Sequence, residues 1–400
     1  MNQPDPCMTH VLYLAHDLSD PAIRRRVLTL LAGGARVTLA GFRRGQNRLA
    51  EIEGVLPVVL GETADGQFLQ RMAAVAKASL SLGKTLSGIP APDVILARNL
   101  EMLALAKRAM SIYAGQPALV YECLDIHRLL LNKGKPGQLL NAAQRYFARD
   151  AKLLITSSPA FVEHYFKPMS GLNLPVLLQE NKVLALDATV AATPQPRAPA
   201  SGEPWKIGWF GALRCRKSLE ILAEFARRME GKVEIILRGR PAYSEFADFD
   251  GFVAAAPHVH FHGPYKNPED LAAIYNEVQF TWAIDFFEEG QNSSWLLPNR
   301  LYEGCLYGTL PIALAGTETA RFIEKRDIGF VLQHAGADDL AALFNRMNPQ
   351  TYADAFNTLS ALDRKQWLTD RDDCRLLVQQ LSSLAKSASG HAREAQFSPV

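Results

Sequence analysis

Cysteine is scarce in this chain. There are five in 400 residues (Cys7, Cys123, Cys215, Cys305 and Cys374), and no two stand in a C-x-x-C spacing. That argues against a zinc site and a disulfide framework and fits a reducing cytoplasm. Long apolar runs are also missing: none approaches the ~20 residues that span a bilayer. The opening "MNQPDPCMTH" has no basic stretch, and the apolar "VLYLA" after it is strand-length, so no signal peptide is read. A dinucleotide fingerprint is absent too. "LAHDLSD" has no glycine, and "GWFGALR" lacks the third glycine of G-x-G-x-x-G, which removes the dehydrogenase reading of a doubly wound fold. No repeat of 20 to 50 residues is found.

What is present is ample core material: 48% of residues are apolar and 21% charged. Four hundred residues exceed one ordinary core, so two domains are expected. Net charge is only +2, but residues 1–200 hold 22 Lys+Arg against 15 Asp+Glu, and the remainder 21 against 26. A basic first half suits anionic lipid headgroups or an anionic acceptor, and suits ordinary solvated faces equally well.

Short β-rich runs alternate with helical patterns. In the first half the strands are read at 10–15, 36–42, 55–60, 93–98, 119–124, 152–158 and 176–180. "PAIRRRVLTLLAGG" lies between the first two, with Pro21 at its start and Gly33–Gly34 at its end. "DATVAATPQPRAPASGEP" (187–204) breaks the pattern and reads as a linker. The alternation restarts with strands at 205–213, 232–239, 259–263, 280–285, 310–315 and 329–333. From about 337 the chain reads as helical, ending in an amphipathic run near 366–386, with a disordered tail over 388–400. Apolar strands joined by helices mean parallel sheets covered on both faces. The expected fold class is α/β, two doubly wound Rossmann-like domains facing each other across a cleft, with ligands at the strands' carboxyl ends.

"LLPNRLYEGCLYGTLPIALA" (296–315) places an amide, a guanidinium and a carboxylate at the start of one short helix. Pro298 suits the first turn, and the N–H groups beside it form an anion site to which Arg300 adds a full charge. Asn299 and Glu303 share a face about 6 Å apart along the axis, roughly the step from a diphosphate to its ribose. The segment reads as a clamp for a nucleoside diphosphate; equally, Arg300 and Glu303 are spaced to pair on an exposed face. A second phosphate candidate is "GWFGALRCRKSLEILAEF" (208–225). Gly211 permits close approach, and Arg214, Arg216 and Lys217 crowd the start of a helix. His127 and Asp125 follow the strand "LVYECL", and His16 and Asp17 follow the first strand. Asp-Phe-Asp at 248–250 reads as a surface turn rather than a metal motif.

"FGALRCRKSLE", "VEIILRGRP", "VHFHGPYKNPEDLAAIY" and "LLPNRLYEGCLYGTLPIALA", in that order, resemble the donor domain of a retaining family-4 GT-B glycosyltransferase of the bacterial exopolysaccharide or lipopolysaccharide kind. "AHDLSDPAIRRRVLTLLAGGARVTLAGF", "DVILARNLEMLALA", "LVYECLDIHRLL" and "LLITSSPAFVEHY" are similar to its acceptor domain. The likeness spans residues 8–335 and implies an acceptor domain over 1–186 and a donor domain over 205–365. It also implies a C-terminal helix over 366–387 packing back toward the first domain. It implies transfer of a sugar from a UDP- or GDP-linked donor to a glycan or lipid-linked saccharide. Transfer is with retention, without metal or resident cofactor, in the cytoplasm or at the inner membrane face. Contact with an anionic membrane is expected, and no nucleic-acid partner.

Carried onto this sequence, the catalytic residues are Arg214, Lys217, His127 and Asp125. The donor is bound by Gly211, Arg216, Arg238, Asn292, Ser293, Ser294, Asn299, Arg300 and Glu303, and the acceptor by His16 and Asp17. The family often carries two glutamates separated by seven residues. Glu303 matches the second, but Trp295 stands at the first, where Asn292, Ser293 and Ser294 are the substitutes. That departure keeps a non-catalytic nucleotide-sugar-binding protein as the alternative.

Overall fold

The computed structural model describes residues 8–44, 51–63, 68–113, 115–186 and 193–395; for 68–69 and 387–395 it describes backbone only. Cys7 and the linker residues 187–192 lie outside these. The chain divides into two compact units, Met1–Gln179 with Asp370–Val400, and Glu180–Thr369.

The first unit is built on seven parallel strands: β1 (His10–Ala15), β2 (Arg36–Arg44), β3 (Val58–Thr63), β4 (Val94–Arg98), β5 (Ala118–Glu122), β6 (Ala151–Thr156) and β7 (Val176–Leu178). Their order is β3-β2-β1-β4-β5-β6-β7. The central strands β1, β4 and β5 are buried along their whole length, which is why they are near-continuous apolar runs. The chain steps one way from β1 to β2 and the other way from β4 to β6. The sequence therefore reverses between β1 and β4, and right-handed crossovers put the flanking helices on opposite faces. Asp20 caps the helix Pro21–Ala32 by accepting from the Ala22 N–H at 2.8 Å. Leu377, Val378 and Leu381 of the last helix, Arg371–Ala395, join Ile23, Val27 and Leu30 of this helix in one core. Gly33 permits the approach, since a Cβ there would lie 2.3 Å from the Cys374 carbonyl oxygen. The last helix thus belongs to the first unit. It continues to Ala395, through part of the segment expected to be disordered; residues 396–400 lie outside the description.

The second unit contains β8 (Val183–Leu184), β9 (Trp205–Leu213), β10 (Val233–Pro241), β11 (Val259–Phe261), β12 (Phe280–Trp282), β13 (Leu310–Leu314), β14 (Phe330–Leu332) and β15 (Leu368–Thr369). Six form a parallel sheet in the order β11-β10-β9-β12-β13-β14, reversing between β9 and β12. The first boundary falls earlier than expected, at Gln179 rather than 186, because β8 pairs with β15 and the Asn181 amide donates to the Leu297 carbonyl at 2.9 Å. The described part of the expected linker also belongs to this unit. Arg197 donates to the carbonyls of Tyr307 at 3.1 Å and Tyr275 at 3.3 Å, and Gln279 donates to the Arg197 carbonyl at 2.9 Å. Asp248 caps the helix Phe249–Ala255 through the Gly251 N–H, a local structural role for the Asp-Phe-Asp segment.

Candidate functional site

In a doubly wound sheet the ligand crevice lies at the carboxyl ends of the strands where their order reverses. In the second unit that place is the end of β9 and β12, and both sequence-predicted phosphate elements converge there. Gly211 (φ +112°) and Gly239 (φ +138°) face each other across β9 and β10. A Cβ on Gly239 would lie 1.8 Å from the Gly211 carbonyl oxygen, whereas one on Gly211 meets nothing within 4 Å. The backbone is therefore pressed together on one side and left open on the other.

The cations after β9 rest on the loop after β12. Arg214 lies 3.7 Å from Asp285 Oδ2 and sits over the Phe287 ring at 4.5 Å. Lys217 bonds Glu289 at 2.6 Å and sits over the Phe286 ring at 4.5 Å. Asp285 Oδ1 accepts from the Phe287 N–H at 2.8 Å and Ser293 Oγ from the Glu288 N–H at 2.7 Å, so the loop's own backbone is tied down. Arg216 points away along its helix to Glu220 at 2.9 Å. Arg238 spends its guanidinium on Glu277 at 2.7 Å. Asn292 and Ser293 are buried in the loop, and Ser294 and Trp295 are half-buried.

The helix Asn299–Leu306 is capped by Pro298, one position earlier than expected, with Asn299 exposed at its first position. Arg300 and Glu303 do not pair on an open face. Arg300 is buried, and its Nε and Nη2 donate to the carbonyls of Trp282 (2.7 Å) and Ile284 (2.8 Å), fixing the end of β12. Burial lowers its pKa, and Asp285, 3.9 Å away, opposes that. Arg300 is thus a brace under the site; the helical spacing gave its face but not the carbonyls waiting below. Glu303 is also buried, accepting from Asn267 Nδ2 and the Tyr275 hydroxyl, each at 2.9 Å. Burial and this carboxylate both raise the Tyr275 pKa, so its phenol stays a donor.

In the first unit the order reverses between β1 and β4. His16 and Asp17 lie in the loop after β1. Asp17 accepts from the Ser19 N–H (2.9 Å) and hydroxyl (2.6 Å) and lies 3.4 Å from Arg44. His127 and Asp125 follow β5. His127 Nδ1 accepts from the Leu129 N–H at 3.3 Å, capping a short 3-10 turn, and Nε2 lies 3.5 Å from Arg71. Burial, then Arg71, lower its pKa. Asp125 accepts from the Ile126 N–H at 2.9 Å.

Beneath lies a cluster that the sequence reading passed over. Glu122 is fully buried and accepts from Arg26 (2.6 Å), the Tyr13 hydroxyl (2.7 Å) and Arg98 (3.3 Å). Burial alone would raise its pKa, but Arg26 and Arg98 outweigh that and hold it low. The signal was there to read: Arg98 and Glu122 are lone charges ending otherwise apolar strands, where an unpaired ion is too costly to keep.

Among the described residues no group of three or more His, Cys, Asp or Glu side chains is placed to hold a metal ion, and no helix is long and apolar enough to cross a membrane. Cys123, Cys215, Cys305 and Cys374 are buried and free.

Two Rossmann-like units, each a parallel sheet with one reversal of strand order, are the halves of the GT-B fold. Solved structures share the fold. HepE of Anabaena in complex with UDP-glucose matches with a TM-score of 0.65 at 16% identity, over 94% of this chain and 99% of that one. A sucrose-phosphate synthase from Thermosynechococcus elongatus matches with a TM-score of 0.65 at 15% identity, over 97% and 99%. The chain belongs to the family of the succinoglycan biosynthesis protein ExoL of Rhizobium meliloti (strain 1021), being 61% identical to it over 384 residues, 95% of each chain. No family model matches the chain.

Proposed function

We propose that this protein transfers a hexosyl unit from a nucleoside-diphosphate sugar to a lipid-linked saccharide during assembly of a succinoglycan-type exopolysaccharide, with retention and without a metal. The observation that carries it is the convergence of Gly211, Arg214, Lys217 and the Glu303 helix at one sheet reversal. Its support from relatives is the exopolysaccharide role in the name of ExoL and the UDP-glucose bound in HepE. In this reading Glu303 accepts the ribose hydroxyls. Asn267 and Tyr275 each donate to one carboxylate oxygen and orient the group at the start of the helix.

The diphosphate lies over Gly211, where a side chain is lacking and the backbone can come close. Arg214 and Lys217 meet the charge that grows on the leaving phosphate as the glycosidic bond breaks. Because Asp285, Phe286 and Phe287 hold them in place beforehand, little reorganisation is needed at that moment. Asn292, Ser293 and Ser294 face the donor sugar without a charge. The loops carrying His16, Asp17, Asp125 and His127 meet the acceptor. The enzyme works on the cytoplasmic side, against the inner membrane leaflet.

Calorimetry with UDP, GDP and their sugars, followed by transfer of radiolabelled sugar to a bacterial lipid extract with and without EDTA, tests this. Binding of UDP-sugar and EDTA-resistant labelling of lipid are expected. Binding without any turnover would establish a nucleotide-sugar-binding protein instead.

A further inference from the structure

The loop Ala15–Asp20 leaves β1 at the first unit's sheet reversal, and a single cation joins it to the buried Glu122. Arg98, 7% exposed at the end of β4, donates to Glu122 at 3.3 Å through Nη1, while its Nη2 reaches Asp20 Oδ2 at 3.6 Å. Asp20 in turn lies 3.9 Å from His16 Nε2 and caps the following helix. The His16 ring is mostly enclosed, and its Nδ1 is buried without a hydrogen-bond partner.

We propose that Arg98 is a positioning residue for the acceptor side, a buried bridge that sets Asp20 and the His16 ring of the β1 loop in the arrangement that meets an acceptor sugar. The proposal rests on the acceptor reading of that loop given above. Arg98 has the geometry for it: one end is fixed by a carboxylate with no access to water, and the other ends at the loop. A residue that merely filled space would not need a charge at both ends.

The bridge has an electrostatic consequence. Burial lowers the His16 pKa first and Arg98 lowers it next; Asp20 and Glu101 pull it up, and Arg44 adds a smaller downward push. The groups around the ring are thus Arg98 at the end of β4, Arg44 at the end of β2, Glu101 in the helix Asn99–Ile112 and Asp20 at the helix cap, with Asp17 beside it in the loop. The sum keeps the imidazole neutral at neutral pH, so that Nε2, the nitrogen on the Asp20 side, can hydrogen-bond a sugar hydroxyl.

The test uses the full-length protein labelled at its histidines, with the His16 resonance assigned by His16→Gln. In the wild type the His16 titration midpoint should lie below that of an ordinary imidazole. Arg98→Met should move it upward, because the remaining named carboxylates all favour the cation, and Arg98→Lys should keep it low. An identical midpoint in all three proteins overturns the bridge. Asp20→Asn, which leaves Arg98 paired with Glu122 and cuts the bridge at its loop end, covers the case in which Arg98→Met fails to fold: it should lower the His16 midpoint further, and an unchanged midpoint would overturn the bridge. Octyl glucoside is the acceptor probe. It should shift the wild-type His16 resonance and shift it less in Arg98→Met. If the midpoint moves with Arg98 but the sugar never perturbs His16, the acceptor placement is overturned while the bridge stands.

Discussion

At the scale of single residues, the roles proposed for Glu303 and Lys217 separate binding from turnover. Both Glu303 oxygens are oriented by Asn267 and Tyr275, and in the proposed reading the carboxylate meets the ribose. Glu303→Gln keeps the shape and removes the charge. A hydrogen bond to a charged group contributes about 1.5–3 kcal/mol, so UDP affinity should fall roughly tenfold to a hundredfold; an unchanged calorimetric dissociation constant would show that the ribose lies elsewhere. Lys217 is half-exposed and already paired with Glu289, so losing it should cost little ground-state affinity. Lys217→Ala should lower kcat by a larger factor than it raises the UDP-sugar dissociation constant, since the leaving group gains charge only as the bond breaks. Equal losses would make it a plain binding residue. The convergence of these two segments was partly legible: a carboxylate one turn behind an amide at a helix start, and three cations after a glycine, are local patterns. The carbonyls that Arg300 meets, the place of Asp285 and the pairing of Glu122 with both Arg26 and Arg98 were not, because each acts on partners distant in sequence, Glu122 meeting Arg26 across 96 positions. Spacing along a helix says which side chains share a face, not what lies under it.

At the scale of elements, the strands could be read because a parallel strand buried on both faces must be apolar along its length, and Pro and Gly mark the ends of the helices between. All thirteen strands read from the sequence are present, β1 and β9 at the bounds read and the others with shifted ends. The two-residue pair β8 and β15 was missed, being too short to show a pattern, and with it the place where the chain passes between units. The site depends on the end of β12 being held where it is. Arg300→Met leaves two carbonyls without their donors. Each buried acceptor left unpaired costs about 1–3 kcal/mol, and at roughly 2–4 °C per kcal/mol for a unit of this size the two together lower the melting temperature by about 4–24 °C. Arg300→Lys should recover only part of this, since one ammonium cannot copy the two-pronged geometry. If Arg300→Met keeps wild-type stability and loses only nucleotide affinity, Arg300 faces the diphosphate after all. The β9–β10 contact gives a sharper case. Gly239→Ala puts a methyl group against the Gly211 backbone at a φ that L residues avoid, and it should destabilise the second unit while Gly211 itself has room above it. Differential scanning calorimetry in the presence and absence of UDP reads both effects.

At the scale of the whole molecule, the uneven charge acquires a place. The helices Phe68–Thr85 and Lys135–Ala148 both pack beside the helix Asn99–Ile112 in the first unit. Neither contains a single acidic residue, while they carry Arg71, Lys77, Lys84, Lys135 and Arg145 between them, with Lys133 just ahead of the second. Leu80 is 88% exposed, Leu139 72% and Tyr146 55%, a cost in water that apolar contact would remove. Cations together with a few exposed apolar and aromatic side chains suit the headgroup region of an anionic bilayer, the place that the proposed lipid-linked acceptor would require. Each cation near such a surface contributes about 1 kcal/mol, so several of them suffice for reversible attachment without a spanning helix. Sedimentation with vesicles of phosphatidylcholine alone, or mixed with phosphatidylglycerol, decides the matter. Binding should require the anionic lipid, weaken as salt shortens the Debye length, and be lost when Lys77, Lys84, Lys133 and Lys135 are all changed to Glu. Leu80→Ser with Leu139→Ser should weaken it at every salt concentration, because the apolar contribution is not screened. Equal recovery of the wild type and the four-Glu variant in the supernatant at low salt would show that this basic layer faces water. A salt-insensitive dimer of the wild type, abolished by the two Ser changes, would instead mark the exposed leucines as a contact between copies of the chain.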